Sequence, residues 1–160
     1  MIISRRLMVS VLAGCVLVLS EGVYAQTDPI TGTWSLNVSK SDLPAGQAPR
    51  SQTITYQGTG DNKTATTETV DTQGKQARAT FIHIYDGQPH ATAGSPDTDA
   101  SAYTRLNPNT VIFTRMKSGK LAGVGNIVVS SDGKTLTVSG TGASGVGGLP
   151  ATYAAVYDKR

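Results

Sequence analysis

From residue 31 to residue 159, apolar and polar positions alternate in short runs, and no window holds the i, i+3, i+4 spacing of an amphipathic helix. Trp34, Leu36 and Val38 alternate with Thr33, Ser35 and Asn37. Leu136 and Val138 alternate with Thr135, Thr137 and Ser139, and Tyr153, Ala155 and Tyr157 alternate with Thr152, Ala154 and Val156. A period of two puts each set on its own face of a strand, and the abundant Thr and Val suit a pleated, half-buried surface. Between the runs stand residues that tolerate positive φ or bond their own backbone. They are 58–62, 71–74, Asp86-Gly87, Asn107-Pro108-Asn109, Ser118-Gly119 and Ser131-Asp132-Gly133. The spacing predicts strands over 31–38, 51–57, 63–70, 76–85, 89–93, 101–106, 110–117, 121–130, 134–140 and 151–158.

Links this short join neighbouring strands antiparallel, as an up-and-down meander. A long meander leaves two unpaired edges, which closure removes, and an even strand count lets first and last strands pair antiparallel. The expected fold is all-β, an antiparallel meander of about 8–10 strands closed into a barrel, with an open sandwich as the alternative. Two connections are longer. Residues 39–50, carrying Pro44 and Pro49, are expected to cover one barrel end; residues 140–150, with five glycines, are expected to form a mobile loop.

The first 25 residues break the pattern. Arg5 and Arg6 precede an uncharged, mostly apolar stretch at 7–19, too short to span a bilayer comfortably. Val23-Tyr24-Ala25 then places small residues where a signal peptidase needs them. Residues 1–25 are therefore expected to be a signal peptide, leaving 26–160 as a single exported domain, periplasmic or secreted and monomeric. Leu12-Ala13-Gly14-Cys15 offers a second reading, in which a lipidated Cys15 becomes the first residue. That reading leaves only 7–12 as the apolar stretch and sets Val16-Leu17-Val18-Leu19 where a polar tether belongs.

Removing residues 1–25 takes away Arg5, Arg6 and Glu21, leaving 12 basic and 10 acidic residues, a net of +2. With no Lys/Arg cluster, nucleic acid is not an expected partner. Cys15 is the only cysteine, so the mature chain rests on its core and hydrogen-bonded sheet rather than on a disulfide.

Ile30-Thr31-Gly32-Thr33-Trp34-Ser35-Leu36 resembles the opening strand of lipocalins and fatty-acid-binding proteins, where Gly-x-Trp sets the indole across the closed barrel end. Ala155-Val156-Tyr157-Asp158-Lys159 resembles the closing strand of the fatty-acid-binding group. In pattern, the whole mature chain is similar to small exported bacterial proteins with a lipocalin-like domain. The resemblance implies a lipocalin-like barrel with structural roles for Gly32 and Trp34 and room inside for a small molecule. The family's closing strand carries Arg-x-Tyr for a ligand carboxylate, whereas Ala155 and Tyr157 stand at those positions here. The hydroxyl is kept and the charge is missing. A buried carboxylate without a cation is unfavourable, so the expected ligand is small, largely apolar and uncharged. The family's helix pair has no room in residues 39–50.

The expected ligand-binding residues are Leu36, Tyr56, Phe81, His83, Tyr85, Tyr103, Phe113, Tyr153 and Tyr157. Trp34 either plugs the barrel floor or lines a cavity; the plug is favoured because large aromatics dominate core energetics. His83 shares a face with Phe81 and Tyr85, opposite Ile82 and Ile84. Both faces are partly apolar, so a polar point in a cavity and a buried, singly bonded histidine stay open. His90, beside Pro89, is expected to be exposed. Two histidines without Cys or Glu at ligand spacing do not make a zinc site, and Asp97 and Asp99 read as turn residues rather than a calcium loop. The Gly-x-Gly-x-x-Gly spacing at 140–145 lacks the following helix that a dinucleotide needs. There is no Gly-x-Ser-x-Gly elbow and no histidine in the context of a base, so neither catalysis nor a cofactor is expected. The rival to a binding protein is an envelope scaffold or protein-interaction barrel with a filled core.

Overall fold

A computed structural model describes residues 28–142 and 152–160. The expected signal peptide, the Cys15 box and residues 143–150 of the glycine-rich connection lie outside the described residues. Ten strands follow one another: β1 (Gly32–Leu36), β2 (Ser51–Thr59), β3 (Asn62–Val70), β4 (Gln76–Ile84), β5 (His90–Ala93), β6 (Ala100–Asn107), β7 (Thr110–Lys117), β8 (Lys120–Val129), β9 (Thr135–Gly142) and β10 (Thr152–Lys159). They form a closed antiparallel barrel in which each strand pairs with its sequence neighbours and β1 meets β10. Trp34 sits between Ile54 of β2 and Lys159 of β10, so neither end of the meander is left as a free edge.

Two local differences have physical causes. The first run was expected to reach residue 38, but β1 stops at Leu36 and a 3₁₀ turn, Val38–Lys40, follows. Asn37 ends the strand because its side chain accepts from the Lys40 backbone N–H, a local bond that competes with the sheet. In the ninth run the strand continues past residue 140 to Gly142, whose φ of +108° suits glycine. Among the described residues there is no α-helix. Residues 39–50 cross one barrel end instead, held where Asp42 and Ala154 exchange backbone hydrogen bonds of 2.8 Å.

Alternation carries one face of every long strand inward. Ile54, Tyr56, Ala65, Val111, Phe113, Ile127, Leu136 and Val138 make the core with Trp34, which is completely buried. The indole N–H donates to the Ile30 carbonyl at 2.8 Å, satisfying the one polar atom of the ring. Gly32 precedes it at φ +125°, a region that favours glycine. Gly125 of β8 and Gly140 of β9 are register partners. A Cβ at 125 would lie 2.6 Å from Phe113 Cζ and 2.2 Å from the Ser139 carbonyl oxygen, so the Phe113 ring occupies space that only glycine leaves.

The end of the barrel beside Trp34 is closed by charge. Lys63 is buried, with Nζ 2.9 Å from Asp28 Oδ2 and a second bond to the Gly60 carbonyl. Arg105 also bonds Asp28 and lies over the Tyr85 ring at 4.2 Å. Partial burial raises the Asp28 pKa, but hydrogen bonds from Arg105 and Lys63 outweigh it and hold the carboxyl below 3.8. A buried lysine needs such a partner, since an isolated ammonium there would cost several kcal/mol of desolvation, on the order of 5.

Candidate functional site

The inner wall is not filled. A cavity of about 640 Å³ runs along the barrel axis and opens between residues 43–49, the β3–β4 turn and the β5–β6 turn. Seven of the expected residues line it: Tyr56, Phe81, His83, Tyr103, Phe113, Tyr153 and Tyr157. Two do not. Leu36 is the last residue of the short β1 and packs against the core from the strand end. Tyr85 is drawn under the Arg105 guanidinium at the closed end, away from the cavity. Trp34 is also off the wall, in the position of a floor.

The rings on the wall touch one another. His83 stacks on Tyr103 with centroids 3.6 Å apart and planes 21° from parallel, and meets Tyr56 edge-on at 5.2 Å. The face left open by alternation is therefore settled: His83 and Phe81 point inward, and Ile82 is exposed outside. Burial, followed by the nearby charges of Arg115 and Lys63, lowers the His83 pKa to about 3, so the ring is a neutral imidazole at ordinary pH. Its Nδ1 is buried and has no hydrogen-bond partner among the described residues. Burial likewise pushes the Tyr103 phenol up to about 12 and keeps the Tyr157 phenol protonated, where it donates to Gln52 Oε1 at 2.5 Å. His90 corrects the expectation of exposure. It opens β5 with 24 % of its side chain exposed, and its Nε2 lies 3.0 Å from both carboxylate oxygens of Asp86.

Ala155 and Tyr157 both face inward, so the charge missing from β10 is missing from the cavity wall at that strand. Arg115 of β7 supplies one instead. Its guanidinium lies 4.8 Å from the Phe113 ring centre and 5.7 Å from that of Phe81, and its buried Nε has no partner among the described residues. This residue was missed as part of the wall, although alternation offered the signal, since Val111, Phe113 and Arg115 share a face. Lys63 was missed in the same way, two residues before the buried Ala65. The ground for excluding a charged ligand is thereby removed.

The arrangement is suited to holding a molecule: ring faces, a few hydroxyls, one neutral imidazole and one guanidinium. Among the described residues no group of three or more His, Cys, Asp or Glu side chains is placed to hold a metal ion, and no helix is long and apolar enough to cross a membrane.

A closed ten-strand meander with an inner cavity defines a lipocalin-like barrel of the fatty-acid-binding-protein kind. The sequence matches no protein-family model and no curated protein. Among solved structures the fold is similar to the Schistosoma mansoni fatty acid binding protein in complex with arachidonic acid, with a TM-score of 0.53 and 17 % sequence identity. The match covers 82 % of this chain and 96 % of that one. At this identity the likeness is one of fold.

Proposed function

We propose that this protein binds a small, largely apolar molecule inside its barrel and acts by carrying it rather than by transforming it. The observation that supports this reading is the cavity of about 640 Å³ behind a wall of rings and small apolar side chains. It falls within the roughly 300–1,000 Å³ typical of small-molecule sites. A scaffold barrel with a filled core would close that space by packing side chains against each other. Arg115 changes the expected ligand from an uncharged molecule to one that carries a single acidic group, because its guanidinium offers charge-assisted bonds beside two phenyl faces. The solved neighbour of the same fold holds a fatty acid, which agrees with an apolar ligand but does not define this one.

We further propose that the chain is exported, on the strength of Arg5 and Arg6, the apolar stretch after them and the Val23-Tyr24-Ala25 ending. Native mass spectrometry of protein purified from the cells that make it tests both readings. The expected spectrum shows a polypeptide beginning at Gln26 and a non-covalent one-to-one adduct. A bare protein that also fails to take up anilinonaphthalene sulfonate would overturn the binding reading. A lipidated chain starting at Cys15 would overturn cleavage after Ala25.

A further inference from the structure

Two polar groups face the same cavity at different depths. Arg115 stands near the mouth: its register partner Ser101 is one residue into β6 from Ala100, just after the turn that borders the opening. His83 stands near the closed end, opposite Lys63, whose ammonium is tied to the floor through Asp28. Both carry a buried nitrogen without a hydrogen-bond partner among the described residues, Nε of Arg115 and Nδ1 of His83. Buried polar atoms are seldom left alone, and each one left so weakens the fold. Each nitrogen is sealed from the open space but belongs to a side chain that lines the cavity, so a ligand that draws the imidazole and the guanidinium slightly toward it would relieve both.

The wall between them is made for a flat body. Tyr56, Phe81, Tyr103 and Phe113 present rings, while Ala65 and Ala155 keep the rest of the wall shallow. Rings gain from offset and edge-on contacts with other rings beyond the area they bury. A flexible acyl chain gains only the area and loses more rotational freedom on ordering.

Resting on the binding reading above, we propose that His83 is a second ligand anchor and that the ligand is a flat aromatic acid bearing a hydroxyl group. The acid lies at Arg115 toward the mouth, and the hydroxyl lies at His83 toward the closed end. A hydroxyl is the fitting partner because it both donates and accepts, and so satisfies either tautomer of a neutral imidazole. The imidazole stays neutral because burial and two nearby cations disfavour its protonation.

Calorimetric titration with naphthoic acid, hydroxynaphthoic acid and decanoic acid tests this. The wild type is expected to bind the hydroxy acid about tenfold more tightly than naphthoic acid, the worth of one well-made buried hydrogen bond, and decanoic acid more weakly than either. His83→Phe should erase the preference for the hydroxyl, while Arg115→Gln should weaken both ring acids and leave that preference in place. The comparison of ligands on the wild type stands even where a variant fails to fold. Equal affinity for the two ring acids, or tightest binding of decanoic acid, overturns the assignment and leaves the binding reading intact. Failure of all three compounds to bind overturns both.

Discussion

Trp34 is where a single side chain carries the most of this fold. It is fully buried, its N–H is satisfied by Ile30, and Lys159 lies 4.9 Å over its ring. Trp34→Ala should lower stability by about 3–5 kcal/mol, the range for deleting a large buried aromatic; urea denaturation midpoints check this, and an unmoved midpoint would remove Trp34 from the floor. His83 sets the behaviour in acid. Its folded pKa of about 3 lies below the ordinary histidine value of 6.5, so between these the unfolded chain binds the extra proton. Its contribution is therefore complete above pH 6.5 and is lost as pH falls toward 3, an acid cost on the order of 5 kcal/mol. Asp28 adds loss in the same direction, since its carboxyl is held below 3.8 and protonation releases Lys63 and Arg105. Thermal melts from pH 7 to pH 4 should fall steadily for the wild type and more gently for His83→Phe. At this scale the apolar residues were legible and the charged ones were not. Gly32 and Trp34 announced themselves as a pair, whereas Arg115 and Lys63 were not among the expected wall residues, because charge usually stays in water. Their partners inside the closed barrel, the Phe81 and Phe113 rings for Arg115 and the Asp28 carboxylate ahead of β1 for Lys63, explain why they face inward.

At the level of the strands, boundaries were readable because turn chemistry is local. Asp71 illustrates it: its carboxylate accepts from the backbone N–H of Gln73 and of Lys75, so the β3–β4 turn is written in four residues. What local chemistry does not encode is how closely two strands approach a third. Gly125 and Gly140 fall in two of the expected strands, yet nothing local says that Gly125 must stay bare to admit the Phe113 ring or that Gly140 must let the β8 backbone come close. Gly125→Ala should therefore destabilise the barrel by about 1–3 kcal/mol through overpacking, although alanine at a free strand position would be harmless. Guanidinium denaturation checks it, and a neutral result would mean that the Phe113 ring lies elsewhere. On β10, Ala155 faces the cavity two residues from Tyr157. Ala155→Arg should lower the melting temperature of the unliganded protein by placing an unpaired cation at a buried wall position, a cost of about 3 kcal/mol or more. Decanoic acid should restore part of the loss in the same melts; an unchanged melting temperature would mean that an arginine at 155 reaches solvent.

Across the whole molecule, the topology demanded very little long-range information. Each strand pairs with its sequence neighbours, and among the strand pairings the β1–β10 seam alone joins distant parts of the chain. Closure was legible from the need to bury two edges, and the short first and last motifs agreed with it. The cavity was not legible in size, because its volume depends on inward positions that are small rather than on those that are large. Ala65, Thr67, Ala79 and Ala155 leave the space that the rings surround. That space is the centre of the functional account, and two-dimensional NMR during a titration with anilinonaphthalene sulfonate tests it most directly. The account predicts saturation at one equivalent, with the largest amide shifts at the inward positions Ala65, Ala79, Phe81, Phe113 and Ala155. Shifts confined to the outer positions Ile82, Ile112 and Val124, or shifts that never saturate, would contradict a ligand inside the barrel.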